Sequence, residues 1–418
     1  MPSLTLKYSN VINALARYLS SQDLMEKSRL DPRHFTRDRK LTFPVILSFL
    51  LSGVQGAVQS ELNTFFADLR NRAESIRKVS AQAFSAARYK ISSRVFDEVN
   101  RELIAHVEKE ISIPRWQGLR VVAGDGTTVQ LTMRKKGIRS IVSGVAFGLY
   151  LPGIERFLSF KLQMGSGNER QMLFESIDEL CPQDLLLLDR GFPCRWLPAV
   201  LIARPIHFCI RCDLSRGFKV VREFLRSGES ERVVTLRAPN RRDAEDYDCP
   251  WTSTTVRLVR VVTPNGRIHG VMTSLLDAIA FPTAAFAGLY HSRWRIEEAF
   301  KRIKHRLGLE HTSGLSWHAA NQDFGAKVSF DNLNALAAYV ATDAHLDPDS
   351  PYRINRTQAI QKIKEKVGRW LLAGAATTRQ LKSLMKEIAR DLQKLVPERT
   401  NPHHPQPKPH LSHAYKPA

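Results

Sequence analysis

Apolar side chains recur along the 418 residues with two periods, and the switches between them mark the elements. Up to about residue 115 the helical period prevails. Thr42 can cap a helix that has Pro44 in its first turn and Gly53 just past its end. Two more helices are predicted near Ser80–Ile91 and Arg94–Lys109, the second with Phe96, Val99, Leu103 and Val107 at helical spacing. Their junction, Ser92-Ser93, reads equally as a helix-turn-helix element, with Arg88, Tyr89 and Lys90 near its turn, or as an ordinary helical hairpin. Strands follow near Leu119–Ala123, Ser143–Leu151, Phe157–Met164, Asp184–Leu188 and Ile206–Cys212, with helices near Asn168–Leu180 and Pro193–Ala203. Four strand-like runs come next: Phe218–Leu225, Glu231–Arg237, Thr254–Thr263 and Arg267–Leu276. The last two are joined by the hairpin signal Pro264-Asn265-Gly266. Helical spacing then returns and holds to about residue 396. Its last stripe, Leu381, Leu384, Ile388, Leu392 and Leu395, reads first as core packing and second as a dimer contact. Residues 397–418 are rich in Pro, His and Lys, have no apolar period, and are expected to be disordered.

One predicted helix stacks chemistry on a single stripe. In Tyr290-His-Ser-Arg293-Trp-Arg-Ile-Glu297-Glu-Ala-Phe-Lys-Arg-Ile-Lys304, steps of seven bring Tyr290, Glu297 and Lys304 onto one face, with Arg293 a turn before the glutamate. The offset stripe Ile296, Phe300, Ile303 and Leu307 would dock the helix on a core and fix where Glu297 points. The competing reading is a solvated helix of acid-base pairs, Glu297 with Lys301 and Glu298 with Arg302.

Two upstream aspartates give that glutamate its weight. Asp125 lies in an apolar run that Gly124-Asp125-Gly126 is expected to break, and Asp189 closes the leucine strand Asp184–Leu188. Open α/β sheets place ligands at the carboxyl ends of their strands, where both acids are expected. Either could instead cap a turn.

Together these blocks resemble the DDE transposases of bacterial insertion sequences, specifically the insertion-sequence-four family. Tyr290, Arg293, Glu297 and Lys304 match that family's signature of Tyr, two residues, Arg, three residues, Glu, six residues, Lys. Asp125-Gly-Thr resembles its first acid block and Asp189-Arg190-Gly-Phe its second. Arg293-Trp294, Ile296-Glu297-Glu298 and Ser313-Gly314-Leu-Ser also match, and the likeness runs from about Gly118 to about Asn334. The expected fold class is α/β: a ribonuclease-H-like catalytic core interrupted by a β-rich insertion and flanked by helical terminal regions. The order of three strands followed by alternating helix and strand agrees. So do the spacings, since 64 residues separate Asp125 from Asp189 while 108 separate Asp189 from Glu297. The boundaries are then a helical DNA-binding domain at 1–115, a core at 116–213 and 277–330, an insertion at 214–276, a helical region at 331–396 and the tail at 397–418.

Composition narrows the partner. Lys and Arg number 62 against 41 Asp and Glu, a formal net charge of +21, which favours a polyanion. A membrane is the weaker option, because the most apolar run, Leu41–Val54, holds a proline and two serines and is short for a span. No leader is visible at the start, and a bacterial cytoplasmic, nucleoid-associated location is expected. The five cysteines make no paired framework. Cys209 and Cys212 have a zinc-like spacing, but three residues apart in a strand they face opposite ways. No ATP-binding loop, dinucleotide fingerprint or hydrolase elbow is present.

Charge arithmetic frames the chemistry. Two divalent ions about 4 Å apart can activate a nucleophile, steady the phosphorus and stabilise the leaving oxygen of a phosphodiester. Hard oxygen ligands suit Mg²⁺, with Mn²⁺ able to substitute. Two such ions, three carboxylates and one phosphate sum to zero charge. The resemblance implies that Asp125 bridges both ions while Asp189 and Glu297 bind one each, so all three are the expected catalytic and metal residues. Tyr290, Arg293 and Lys304 are expected to hold phosphates beside the cut. Arg190, Arg88 and Lys90 are further DNA-binding candidates, and Trp251 or Trp294, each alternatively a core tryptophan, could stack a base moved out of the helix. The implied activity is DNA cleavage at element ends and strand transfer into target DNA, cut-and-paste through a hairpin intermediate, by a homodimer on terminal inverted repeats. A nuclease of the same fold that only hydrolyses, or a retired copy that only binds DNA, are the alternatives.

Overall fold

The computed structural model describes residues 3–37, 39–70, 77–213, 218–262, 266, 268–373 and 376–394. The expected disordered tail and most of the Pro264-Asn265-Gly266 turn lie outside them. The chain divides into two compact units, one of Met1–Ser112, Thr128–Gly144 and Lys301–Ala418, the other of Ile113–Thr127 and Val145–Phe300.

The amino-terminal part of the first unit is helical: α1 Leu4–Leu19, α2 Gln22–Ser28, α3 Phe43–Leu50, α4 Val58–Leu69, α5 Ala81–Arg88 and α6 Val95–Glu110. Ser3, Ser21 and Ser80 cap α1, α2 and α5 by accepting a backbone N–H. Thr42 occupies the cap of α3, with proline in the first turn, but makes no side-chain cap bond.

Strands then dominate. They are β1 Arg115–Trp116, β2 Leu119–Lys135, β3 Ile138–Leu151, β4 Arg156–Met164, β5 Asp184–Leu188, β6 His207–Cys212, β7 Glu231–Leu236, β8 Thr254–Val262 and β9 Ile268–Thr273. The intervening helices are α7 Glu169–Phe174, α8 Trp196–Ala203, α9 Lys219–Ser227 and α10 Arg241–Asp246, and α11 Ala285–His291 and α12 Trp294–Arg306 follow the sheet. The strand order is β4-β3-β2-β5-β6-β9-β8-β7. β2, β5 and β6 run parallel, whereas β6–β9, β9–β8 and β8–β7 are antiparallel. The later strands therefore extend the same sheet through β9 on β6. On one face Leu185 and Leu187 of β5 pack with Cys209, Val259, Val271, Phe286, Leu289 and Tyr290, seating α11.

Four expectations need correction. Phe218–Leu225 is helical, because Val221, Phe224 and Leu225 are the buried positions of α9 and this helical spacing outweighs the β-branched pair Val220-Val221. The helix expected near Asn168–Leu180 stops at Phe174 and resumes only as a 3₁₀ turn at Ile177–Glu179. Gly124-Asp125-Gly126 does not break its strand, for β2 runs on for 17 residues. The segment from Tyr290 to Lys304 is two helices. Around Ser292 the amides of Arg293 and Ile296 bond three residues back, and the Ser292 hydroxyl donates to the Leu289 carbonyl at 2.6 Å. Tyr290 thus lies in the last turn of α11 and Glu297 in the first turn of α12.

The carboxy-terminal elements, α13 Trp317–His345, β10 Tyr352–Ile354, α14 Arg356–Ala373, α15 Thr378–Ala389 and β11 Leu392–Lys394, return to the first unit. There α1 packs against α6, α13, α14 and α15, so helices from both ends of the chain share one interior. α13 spans 29 residues and is buried nearly all round. Two of its buried polar side chains are tied to other helices: Arg302 forks onto Asp331 at 2.8 and 2.7 Å, and Asn332 meets Asn100 at 2.7 Å. Burial pushes the Lys327 ammonium down to about 8, although it donates to the Gly308 and His311 carbonyls. Leu381, Leu384 and Ile388 of that stripe are buried on α15 and serve core packing, Leu392 lies in β11, and Leu395 is outside the described residues.

Candidate active site

The last paired rung between β2 and β5 is Gly124 opposite Leu188. The next residues are Asp125 and Asp189, and neighbouring strands lie about 4.8 Å apart, so the two acids leave the ladder side by side at its carboxyl end. Each spends one oxygen on its own backbone: Asp125 Oδ1 accepts from Gly126 N at 2.9 Å and Asp189 Oδ1 from Gly191 N at 2.6 Å. The turn-capping reading holds for Asp189, which bonds the amide two residues on, whereas Asp125 lies inside β2 and caps no turn.

The third acid is joined to the first by a cation. Arg293, in the break before α12, donates Nη1 to Asp125 Oδ2 at 3.2 Å and Nη2 to Glu297 Oε1 at 2.6 Å. Its guanidinium lies 5.7 Å from the ring centre of Tyr290 and 5.2 Å from that of Trp294, so two aromatic faces hold it. The α12 face is fixed in turn by Ile296, Ala299 and Phe300, all buried, and by Arg295, which donates to the Pro152 carbonyl at 2.7 Å. Burial pushes the Asp125 carboxyl up to about 7. The like charges of Asp189 and Glu297 add to the rise, while Arg293 and the Gly126 N–H oppose it.

A fourth carboxylate, not singled out in the sequence, faces the same place. Glu169 opens α7 behind its cap Asn168, and its Oε1 lies 2.2 Å from where a Cβ on Gly126 would stand. Only glycine leaves room for it. Burial, and then the charge of Asp189, raise its pKa. The available signals were Asn168-Glu169 at a helix start and glycine at 126.

Other expected site residues are placed as follows. Tyr290 is buried, its hydroxyl donating to the Leu188 carbonyl at 3.3 Å. Lys304, near the end of α12, donates to the Thr128 carbonyl. Arg190 is largely exposed and pairs with Asp213 at 3.0 Å. Trp251 is 63% exposed and Trp294 46%. Lys90 is partly buried. Arg88 must be corrected as a DNA contact: it is 1% exposed and donates to Asp323, Gln322, Ser313 and the Ala319 carbonyl, an internal network that encloses its charge. Cys209 and Cys212 are both buried, bonded to Thr273 and to the Ile210 carbonyl.

Among the described residues no three His, Cys, Asp or Glu side chains converge as a ready ligand set for a metal ion. Arg293 instead stands between Asp125 and Glu297. The donors themselves fit a hard divalent ion: they are carboxylate oxygens, and a buried acid raised by like-charged neighbours is the kind of group that a cation relieves. Among the described residues no helix is long and apolar enough to cross a membrane.

Acids at the carboxyl end of a parallel ladder, beside a buried arginine, define an α/β protein with a polar site between two central strands. The family model for the transposase DDE domain matches residues 116–329, and this chain belongs to that family. It is similar to the transposase InsG for insertion sequence element IS4 of Escherichia coli (strain K12), 25% identical over 143 residues, or 34% of this chain and 31% of that protein. The match thus spans under a third of the relative's length. Among solved structures, the piggyBac transposase synaptic complex with hairpin DNA aligns at a TM-score of 0.40 and 9% identity, over 96% of this chain and 87% of that one.

Proposed function

We propose that this protein is an insertion-sequence transposase that cuts DNA at the ends of its element and joins those ends to a target. The observation that carries this reading is the Gly124–Leu188 rung, which sets Asp125 and Asp189 together where open sheets bind ligands. The parallel β2, β5 and β6 beside β3 and β4 support a ribonuclease-H-like core, and β7–β9 support a β-rich insertion between the second and third acids.

Asp125, Asp189 and Glu297 would hold two Mg²⁺ ions, or Mn²⁺ in their place. When bound, the ions supply an activated hydroxyl and stabilise the phosphorus and the leaving oxygen. The chain's own side chains do the positioning. Arg293 presents a planar fork that suits a phosphate, and its Nε is buried with no hydrogen-bond partner among the described residues. Tyr290, anchored on the Leu188 carbonyl, keeps that fork in place through its ring face. Lys304 adds a point charge, and Arg190 lies exposed beside Asp189. Trp251, standing out from its loop, is the better placed of the two tryptophans to stack a base during a hairpin step. The net charge of +21 supports duplex DNA as the partner, namely terminal inverted repeats and target, bound by a homodimer in the bacterial cytoplasm at the nucleoid.

The test uses a labelled element-end fragment, a supercoiled target and Mg²⁺. The parent is expected to nick, form a hairpin and join, while Asp125→Asn, Asp189→Asn and Glu297→Gln each bind the end but do not cut. A variant that cuts within about tenfold of the parent removes its residue from the assignment. Cutting without joining would identify a nuclease instead.

A further inference from the structure

β2 and β3 are longer than the sheet requires. The pairing of β2 with β5 ends at Gly124, yet β2 continues to Lys135, and β3 begins at Ile138. Only Lys136 and Gly137 connect them, both with positive φ, 49° and 82°, the backbone of a tight two-residue hairpin turn. The base of this hairpin is tied down. Gln130 N donates to Glu310 at 2.8 Å, Arg134 N donates to the Leu315 carbonyl at 2.8 Å, and Lys304 donates to the Thr128 carbonyl. Beyond Arg134 the character changes. Residues 136–141 are all exposed, on both faces of the ribbon, including Ile138 at 72% and Ile141 at 57%.

Charge says what could cover this tip. Residues 128–144 contain Arg134, Lys135, Lys136 and Arg139 and no acid. A two-residue turn also places Arg134 opposite Arg139, which gathers positive charge across the ribbon. Two exposed β-branched side chains within a cluster of cations match a surface that offers both anionic phosphates and apolar sugar and base edges. A two-stranded ribbon has the width to enter the major groove of B-form DNA.

We infer that the tip of this hairpin, residues 134–141, is a DNA-contacting arm: Arg134, Lys136 and Arg139 hold phosphates of a duplex, and Ile138 and Ile141 pack against its groove. The inference rests on the reading that the chain acts on DNA. Lys304 acquires a second task in it, holding the base of the arm through the Thr128 carbonyl.

The experiment is salt-dependent binding of the full chain to a labelled duplex of random sequence. It compares the parent, the combined variant Arg134→Ala, Lys136→Ala, Arg139→Ala, and the pair Ile138→Ser, Ile141→Ser. These positions are exposed, so thermal unfolding should be unchanged. For the triple variant the slope of log K against log salt should be shallower by about 2.7, three phosphates at about 0.9 each. The isoleucine pair should weaken binding while keeping the parental slope. A triple variant with the parental slope and affinity overturns the arm. A triple variant that loses self-association in sedimentation but keeps its DNA slope also overturns it, by making the tip a contact between copies. If the parent itself binds duplex with a flat salt response, the DNA reading fails as a whole and the arm with it.

Discussion

Arg293 lies 3.2 Å from Asp125, so the acid just past the last β2–β5 rung already has a cation beside it. That cation is buried and also bonded to Glu297, so it offsets the charge of both carboxylates. Removing it should expose the mutual repulsion of the acids.

Arg293→Ala is therefore expected to lower the melting temperature of the metal-free protein and to enlarge the rise on adding Mg²⁺. Cleavage should fall about a hundredfold, the usual effect of misplacing reacting groups by about 1 Å. Arg293→Lys should not restore it, because an ammonium cannot span two carboxylates as a fork does. Thermal melts with and without Mg²⁺, read beside cleavage rates, check this. An unchanged metal response would mean that Arg293 does not stand in for a cation.

Asp125 gives a pH signature. Its folded pKa, about 7, lies above the unfolded value of 3.8, so between those pH values the folded chain binds more protons than the unfolded one. Its contribution to stability is therefore greatest at low pH and is lost as pH rises through 7. Asp125→Asn, which cannot ionise, should raise the melting temperature of the metal-free protein at pH 8 and change it little at pH 4, by about 2–4 °C for each kcal/mol relieved. Equal shifts at the two pH values would refute the burial of charge at this position.

Gly126 and Glu169 should behave as one unit. A methyl at 126 would meet the Glu169 carboxylate at 2.2 Å and displace it. Gly126→Ala is expected to reduce cleavage, and to have little further effect in a Glu169→Ala background, where the obstacle is gone. A double-mutant cycle measures this, and strict additivity would show that the two positions act separately.

Arg88→Ala should cost stability rather than DNA contacts. It leaves Asp323 buried without its guanidinium, a loss of about 3–5 kcal/mol for a broken buried pair. Urea midpoints should drop while the salt slope of DNA binding stays at the parental value. A lost phosphate contact at unchanged stability would return Arg88 to the surface role that its neighbours in the sequence suggest.

What the sequence discloses here depends on range. The two aspartates are readable because an acid after a run of Val or Leu conflicts with burial unless it lies where pairing stops, and the rung Gly124–Leu188 is the last between β2 and β5. The helix face of Glu297 is readable from the stripe Ile296, Phe300 and Ile303. The break before it is not, because nothing in Tyr290–Trp294 forbids helix; Ser292 tightens the turn by a bond to Leu289 that is decided locally in three dimensions. Arg88 misleads because a basic residue by a helix turn usually meets water, and its partners Gln322 and Asp323 lie more than 230 residues away. Glu169 is easily missed for the complementary reason: the signals are a capped helix start and the absence of a side chain at Gly126, far apart in the sequence.

β2 carries Asp125 in its middle and the first residues of the proposed arm at its far end. Side chains alternate strictly along such a strand, so inserting or deleting one residue between Leu119 and Lys135 would reverse everything downstream of it. Loops elsewhere in the chain can lengthen through evolution by single residues. This strand can change only by pairs, and a library of single-residue indels across the gene should show its tightest intolerance there.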